Sequence, residues 1–281
     1  MFREAIREEY EGFLELEFTN ANDKTTVSKR NFNGLIKASR ELKRENGTVP
    51  LLYIIGLGGG YVEGEKYKYI FTLKDNAKAV ITTQASTKVY KSPNKIATEQ
   101  ETSIYLERNS VLEYITDSLI LYKDAVYKQK NNIYMDKRST LIYSDGITSG
   151  WAPDGSNFSY NTVQLKNNIY IDNELVLLDN LVINPRENDV SKLGFFEEYL
   201  CFGTLIVINS SISHNVIEDL RELIKNENLS IDYGITELEV PGFVLRVLAN
   251  LTQDIDHVIS ICHNYVRRNF LGSKELDIRK Y

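Results

Sequence analysis

The stretch KYKYIFTLKDNAKAVITTQ, residues 66–84, decides the fold class. Lys66 to Leu73 and Ala77 to Gln84 are rich in Tyr, Ile, Val and Thr, which favour extended strands. Lys74-Asp75-Asn76 lies between them, and Asp and Asn favour turns because their side chains hydrogen-bond to nearby backbone groups. The stretch therefore predicts two strands joined by a short turn.

The same pattern extends over the first two thirds of the chain. Further predicted strands are Glu11 to Thr19, Leu51 to Ile55, Thr102 to Leu106, Leu119 to Tyr122, Ile133 to Met135, Leu141 to Tyr143, Tyr160 to Leu165, Ile169 to Ile171 and Leu175 to Leu178. Turn residues separate them, among them Asp145-Gly146 and Asn167-Asn168. Residues 1–185 are therefore predicted to form layered antiparallel sheets, while the structure of Asn33 to Glu45 stays open.

One internal repeat supports the β-rich interpretation. The sequence KNNIYMD at residues 130–136 recurs as KNNIYID at residues 166–172, 36 residues later. A solenoid would need at least three copies of such a unit. Two copies indicate two similar turn-plus-strand units in the layered sheets.

After Pro185 the pattern changes, and residues 186–281 are predicted to form a small α+β region. Gly203 to Ile208 is a predicted buried strand, and Ser213 can cap a following helix. Ser230 to Leu238 and Phe243 to Ala249 are predicted strands, and a last helix begins at Thr252. This order predicts two helices on one face of a mainly antiparallel sheet, either continuous with the first region or forming a second lobe.

The composition is that of a globular protein and excludes several classes. There are 33 Lys and Arg against 39 Asp and Glu, a net charge of −6, which argues against a nucleic-acid binder because such affinity comes mainly from Lys and Arg. Two cysteines suit a reducing compartment, so a cytoplasmic location is predicted. The acidic first seventeen residues do not resemble a secretory signal, and the apolar stretch Leu51 to Leu57 is too short to span a bilayer.

The glycine run Gly56-Leu57-Gly58-Gly59-Gly60 follows a predicted strand but does not match a nucleotide-binding motif. Tyr61 stands where a dinucleotide fingerprint needs glycine, and Glu65 stands where a P-loop needs lysine. The run instead predicts a turn that approaches another part of the protein, or a partner, closely.

Nucleophilic and zinc chemistry are poorly supported. Cys262 lies in the apolar stripe of the last predicted helix, while His257 points nearly opposite and His263 lies on its flank. The sequence therefore predicts a buried structural cysteine and two surface histidines, with no catalytic residue among them and no preformed zinc site.

Two sets of charged residues could have a function: pairs of acids and a basic segment near the end of the sequence. Paired acids, Glu63 with Glu65 or Asp145 with Asp154, leave open a β-rich cytosolic hydrolase as the alternative function. A basic end that includes Arg267, Arg268, Lys274, Arg279 and Lys280 either satisfies a helix C-terminus or docks an acidic protein partner. A plain β-sandwich binding module is a third alternative, against which the cysteine usage argues.

Several motifs resemble one family. The stretch TTQASTKVYKS, residues 82–92, closely resembles the T-x-Q-x-x-T-K-x-Y segment of the UreD (UreH) urease accessory proteins. GGYVEGE at 59–65, LEY at 112–114 and DGITSG at 145–150 are similar to other segments of that family. Trp151 stands where the family commonly has arginine, and Ser156 where it has glutamate. The motif residues are Gly59, Gly60, Gln84, Thr87, Lys88 and Tyr90.

The resemblance implies a cytoplasmic, non-enzymatic maturation factor with a layered β-rich fold and two helices. Such a protein would bind apo-urease (UreA, UreB and UreC) and join UreF and the GTPase UreG to insert nickel into urease. No tightly bound cofactor is implied, only transient Ni²⁺ along a polar passage lined here by Glu65, Thr87, Asp145 and Glu174. Oxygen donors hold Ni²⁺ less tightly than imidazole or thiolate, which suits a conduit that must release its ion.

Overall fold

A computed structural model describes residues 9–213 and 215–278. It contains eighteen strands, two α-helices and one short 3-10 helix, Glu45–Gly47, in this part of the chain. The strands are β1 (Gly12–Ala21), β2 (Lys24–Gly34), β3 (Ile36–Ala38), β4 (Leu42–Arg44), β5 (Val49–Gly56), β6 (Lys66–Leu73), β7 (Lys78–Thr83), β8 (Lys88–Val89), β9 (Thr98–Leu106), β10 (Val111–Ile115), β11 (Ile120–Leu121), β12 (Val126–Met135), β13 (Thr140–Thr148), β14 (Thr162–Ile171), β15 (Glu174–Ile183), β16 (Cys201–Ile208), β17 (Ile231–Glu237) and β18 (Gly242–Ala249). The α-helices are α1 (Asn215–Asn226) and α2 (Thr252–Phe270). His214, Arg279, Lys280 and the acidic residues before Glu9 lie outside the described residues.

The strands form two large sheets and one small one. The first has the order β15-β14-β12-β9-β6-β1-β2, and the second has the order β17-β18-β16-β13-β10-β7-β5-β3, with β4 also pairing with β5. Strands β8 and β11 form the third sheet. The prediction of a mainly β protein with layered sheets and two C-terminal helices is confirmed.

The direction of the central strands differs from the predicted antiparallel arrangement. β6, β9, β12 and β14 run parallel in the first sheet, and β5, β7, β10 and β13 run parallel in the second. Antiparallel pairs occur at the sheet edges and around β16 to β18. The turn at residues 74–76 thus connects two sheets, because β6 and β7 belong to different ones. Each circuit of the chain adds one strand to each large sheet, as in a parallel β-helix.

The internal repeat is explained by the register of two neighbouring strands. Residues 130–135 of β12 lie directly opposite residues 166–171 of β14, so that identical side chains stack at five of the six positions. Asn131 Nδ2 donates a hydrogen bond of 2.7 Å to Asn167 Oδ1. The predicted turn at Asn167-Asn168 is therefore wrong, because these asparagines satisfy their polar groups across strands in the middle of β14. The open segment Asn33 to Glu45 contains the end of β2 and the short strands β3 and β4.

The main core fills the space between the two large sheets. Phe18, Phe71 and Ile104 from the first sheet and Leu52 and Leu141 from the second belong to one buried cluster. A second cluster lies between the antiparallel strands β16 to β18 and the helices, as the alternation of strands and helices predicted. Because β16 pairs with β13, this C-terminal part continues the second sheet. The division at residue 185 stays a prediction.

Candidate functional site

A cavity of about 230 Å³ opens beside the glycine run, and strands of both large sheets line it with polar and apolar side chains. We call it the motif cavity. Its walls come from segments far apart in the sequence, and they include most of the motif residues. The polar and glycine residues in its lining are Gly56, Gly58, Gly59, Gly60, Tyr61, Tyr67, Tyr69, Thr83, Gln84, Ser86, Thr87, Lys88, Gln100, Tyr114, Thr116, Asp117, Gln129, Asp145 and Gly146.

The glycine run reaches this position because it lacks side chains. Gly59 has a φ of +75°, which favours glycine. A Cβ atom on Gly60 would lie 2.8 Å from Tyr90 Cε2 and 2.9 Å from the backbone oxygen of Lys88. Tyr90 itself donates a hydrogen bond of 3.3 Å to the Gly59 carbonyl. The predicted close approach of the run to another part of the protein is confirmed, and it brings the two motif segments together.

We expect Gly60→Ala to destabilise the protein by about 1–3 kcal/mol, because the added methyl group overlaps a backbone oxygen and a packed ring. Gly58→Ala is the matched control, since a Cβ there would meet its nearest atom, on Leu35, at an ordinary 3.5 Å. Urea unfolding of both variants measures the difference. Equal stability of the two variants would contradict the close approach.

Asp145, on β13, is the buried acid of the motif cavity and is 6% exposed. Burial raises its pKa to about 6, against the opposing effect of a hydrogen bond of 2.8 Å that Tyr143 Oη donates to Asp145 Oδ2. The neighbouring Asp179 carboxylate raises this pKa further. Asp145 is therefore mostly ionised at neutral pH, but its charged form is less favoured than that of an exposed aspartate.

A row of polar side chains continues from Asp145 through the interior between the sheets. Asn167 Nδ2 lies 3.4 Å from Asp145 Oδ2 and 3.4 Å from Asp179 Oδ2. Asp179 Oδ1 accepts a hydrogen bond of 2.5 Å from the half-exposed Arg246. In the part of the chain that the structure describes, the buried Asn131 Oδ1 has no hydrogen-bond partner. This row therefore extends from the motif cavity to the half-exposed Arg246 side chain and includes one buried oxygen, Asn131 Oδ1, whose hydrogen-bonding capacity is not used.

The four residues of the predicted passage do not all meet. Thr87 and Asp145 line the motif cavity. Glu65 is not part of the cavity lining; it accepts hydrogen bonds of 2.7 Å from the Val62 amide and 2.6 Å from Tyr67 Oη. Glu174 is exposed at the start of β15 and is not part of the cavity lining. Sequence reasoning missed Asn131 and Asn167, although their duplication marked two stacked strands.

The acid pairs considered for a hydrolase occupy separate sites. Glu63 accepts hydrogen bonds from the backbone amides of Asn94 and Ile96, whereas Glu65 bonds Tyr67. Asp154 is exposed and pairs with Lys123 at 3.0 Å, away from the buried Asp145. Of these acids only Asp145 lines the motif cavity, so neither predicted pair lies together in it.

The prediction of two surface histidines is wrong for His263, which is 3% exposed. Its Nε2 lies 2.5 Å from Oε2 of the buried Glu113 on β10, because α2 packs on the second sheet, mainly on β16 and β18. His257 is half-exposed beside Glu227, and Cys262 is buried, as predicted.

Two residues of the basic end, Arg267 and Arg268, are paired within the chain, and docking by the end as a whole stays a prediction. Arg267 is 1% exposed and pairs with Glu113 and Glu45, while Arg268 pairs with Glu275 at 2.6 Å. The Glu113, His263 and Arg267 side chains form a buried charge cluster between α2 and the second sheet. Arg267 is therefore a structural residue.

Within residues 9–213 and 215–278 no group of three or more His, Cys, Asp or Glu side chains is arranged to hold a metal ion. The motif cavity offers oxygen atoms from hydroxyl, amide and carboxylate groups, which are weak donors for Ni²⁺ compared with imidazole or thiolate. Neither described helix is long and apolar enough to cross a membrane.

The comparisons with known proteins agree with the motifs. The family model described as "UreD urease accessory protein" matches residues 10–280. The chain is 38% identical over 271 residues to a urease accessory protein UreD of Streptococcus salivarius, covering 96% of this chain and 97% of that protein. It is 40% identical to a UreD of Ureaplasma urealyticum, with 89% and 88% covered, and 37% identical to one of Bacillus cereus, with 96% and 98% covered.

Proposed function

The chain belongs to the UreD urease accessory protein family, and from this premise we propose that it guides nickel into apo-urease in the cytoplasm. In this proposal it joins UreF, the GTPase UreG and the urease subunits UreA, UreB and UreC. The ion is cargo, which enters through the motif cavity and passes Thr87 and Asp145.

One observation supports this proposal above the others. Motif residues from the glycine run, from the loop after β7 and from β13 converge on one cavity, which has many polar lining residues and a buried carboxylate. A packed core would fill such a space with apolar side chains, because burying polar groups costs free energy unless they are bonded. The polar row beyond Asp145, with the buried and unpartnered Asn131 Oδ1, extends the same chemistry as far as the half-exposed Arg246.

The chemistry of the row suits a moving cation. The buried carboxylate of Asp145, with Asp179 beyond it, attracts a divalent ion, while hydroxyl and amide neighbours replace part of the hydration shell. Because these donors bind Ni²⁺ more weakly than His or Cys, the ion is released to the next site. The pKa of about 6 keeps Asp145 charged at neutral pH, so the attraction is present under cytoplasmic conditions.

Deletion of the gene tests the proposal. We expect urease to be synthesised in normal amount but to contain little nickel, and the purified chain to co-purify with apo-urease. Nickel content is measured by atomic absorption on purified urease, and complementation with the unchanged gene is the control. Normally loaded urease in the deletion strain would refute the proposed function.

A further inference from the structure

The first sheet ends at β15, whose outer edge is open. Beyond its pairing with β14, no backbone hydrogen bond connects β15 to another segment of the described chain. On the outer face of this strand Leu175, Leu178 and Val182 are 52%, 55% and 50% exposed. Such an edge presents unpaired backbone groups beside an apolar row and is a template for another strand.

Natural sheet edges are usually protected by charge, and β15 is not. Its two acids are Glu174, at its first residue, and Asp179, which is buried and paired with Arg246. The opposite edge, β2, carries Lys24, Lys29 and Arg30, which discourage pairing. An unprotected apolar edge of ten residues indicates a surface that is covered in the working assembly.

The apolar row continues onto the neighbouring strands. Tyr105, Tyr134 and Tyr170 stack with ring centroids 5.4 and 5.0 Å apart, and Tyr170 lies opposite Leu175. Tyr105 and Tyr134 are 43% and 37% exposed. Stacked rings form a rigid surface, which loses little conformational entropy when a partner covers it.

Positive charge lies next to this edge, although the whole chain carries a net charge of −6. Lys166 on β14 faces Asn180, and Lys130 and Lys128 follow on β12. None of the three forms an ion pair with a described residue. The acids of the same rows, Glu99 and Glu101, lie on β9, one strand further from the edge.

We propose that β15 is a docking edge for an extended, acidic segment of a protein in the urease maturation assembly, which adds to the first sheet as its eighth strand. In the partner segment, the two residues that lie beside Leu178 and Val182 are apolar. The partner residue between those two lies beside Asn180 and is an acid, whose carboxylate reaches Lys166 on β14. The partner thus carries the pattern apolar-x-acidic-x-apolar. This inference rests on the proposed function for the identity of the assembly.

Hydrogen exchange of the full-length chain tests the docking edge, with cognate apo-urease and cognate UreF added separately. We expect the amides of residues 174–183 to exchange at least tenfold more slowly with one of the two proteins. Leu178→Lys should weaken that binding about tenfold or more, and Lys166→Glu should weaken it less and remove part of its salt dependence. Leu178→Asn, a milder change, is the second variant if the first impairs folding.

Phe32→Lys is the matched control, because Phe32 is an apolar residue, 44% exposed, on the opposite edge strand of the same sheet. If a partner binds but the β15 amides are not protected from exchange, the docking edge is wrong while the proposed function stands. The same holds if Leu178→Lys and Phe32→Lys lose equal binding affinity. A dimer of the chain that forms through β15 also overturns the inference, since the occupant would be a second copy. If the unchanged chain binds neither protein, both the proposed function and this inference fall.

Discussion

Asp145→Asn is expected to leave urease poor in nickel although the variant folds normally. Asparagine keeps the shape and can still accept the hydrogen bond from Tyr143, but it removes the buried negative charge of the motif cavity. Losing about 1.4 kcal/mol of attraction for a cation already corresponds to a tenfold change, so we expect nickel incorporation to fall about tenfold or more. The measurement is nickel per urease active site after activation with each purified variant.

Two further acids provide the controls. Asp154→Asn removes an exposed carboxylate paired with Lys123 and should leave activation unchanged. Glu174→Gln decides whether the exposed acid at the start of β15 belongs to the path, as the family resemblance implied. Normal nickel loading by Asp145→Asn would remove the conduit from the proposed function.

The same substitution should stabilise the protein at neutral pH. The pKa of Asp145 is raised from 3.8 to about 6 by burial, so the native state binds its proton more tightly than the unfolded chain does. The contribution of the Asp145 carboxyl group to the free energy of unfolding is fully present below about pH 4. It is lost as the pH rises to about 6, and the loss is about 3 kcal/mol at most. Because asparagine does not titrate, urea unfolding should find the variant more stable at pH 7.5, with a smaller difference at pH 5. A constant difference would contradict the raised pKa.

Strand positions could be predicted from the sequence, but strand partners could not. KYKYIFTL at residues 66–73 was predicted with correct ends, because aromatic and β-branched residues act on the local backbone. Its partners β1 and β9 depend on how distant segments meet. A buried parallel strand and an antiparallel strand have similar patterns of apolar, β-branched and aromatic residues. The sequence therefore did not show that the central strands are parallel.

The candidate site shows the same division. Gly59, Gly60, Gln84, Thr87 and Lys88 were found as motif residues by resemblance, but only the fold places them around one cavity with Asp145. The asparagine repeat at residues 131 and 167 was visible in the sequence. Asparagine, however, is typical of turns, so the sequence pattern favoured a turn at this place over the middle of a strand. Cross-strand stacking overrides that local preference, because each amide finds its partner on the neighbouring circuit.

The buried charge cluster was missed for a related reason. His263 and Arg267 are one helical turn apart on α2, and the helical pattern placed them on the flank and at a basic end. Their partner Glu113 lies some 150 residues earlier in the chain, on β10. The signal that could have found the cluster is the polar Glu113 between apolar neighbours in the strand VLEYI, since a buried acid needs a cation.

Glu113→Gln is expected to destabilise the protein by about 3–5 kcal/mol, because it leaves the Arg267 charge and the His263 ring buried without their carboxylate. The neighbouring Glu45 also pairs with Arg267 but is more exposed, so it compensates only in part. Urea unfolding at pH 7 measures the effect. Glu275→Gln is the control, because its pair with Arg268 is half-exposed or more on both sides and should be worth less than about 1 kcal/mol.

The pH dependence of the same variant identifies the charge as the cause. Burial alone would raise the pKa of Glu113, but the hydrogen bonds and charges of His263 and Arg267 outweigh burial and lower it below the usual 4.5. A lowered carboxyl pKa contributes stability that is present above about pH 4.5 and is lost as the pH falls. The difference between the parent and Glu113→Gln should therefore narrow below pH 4.5, whereas a loss of packing alone would give a difference that does not change with pH.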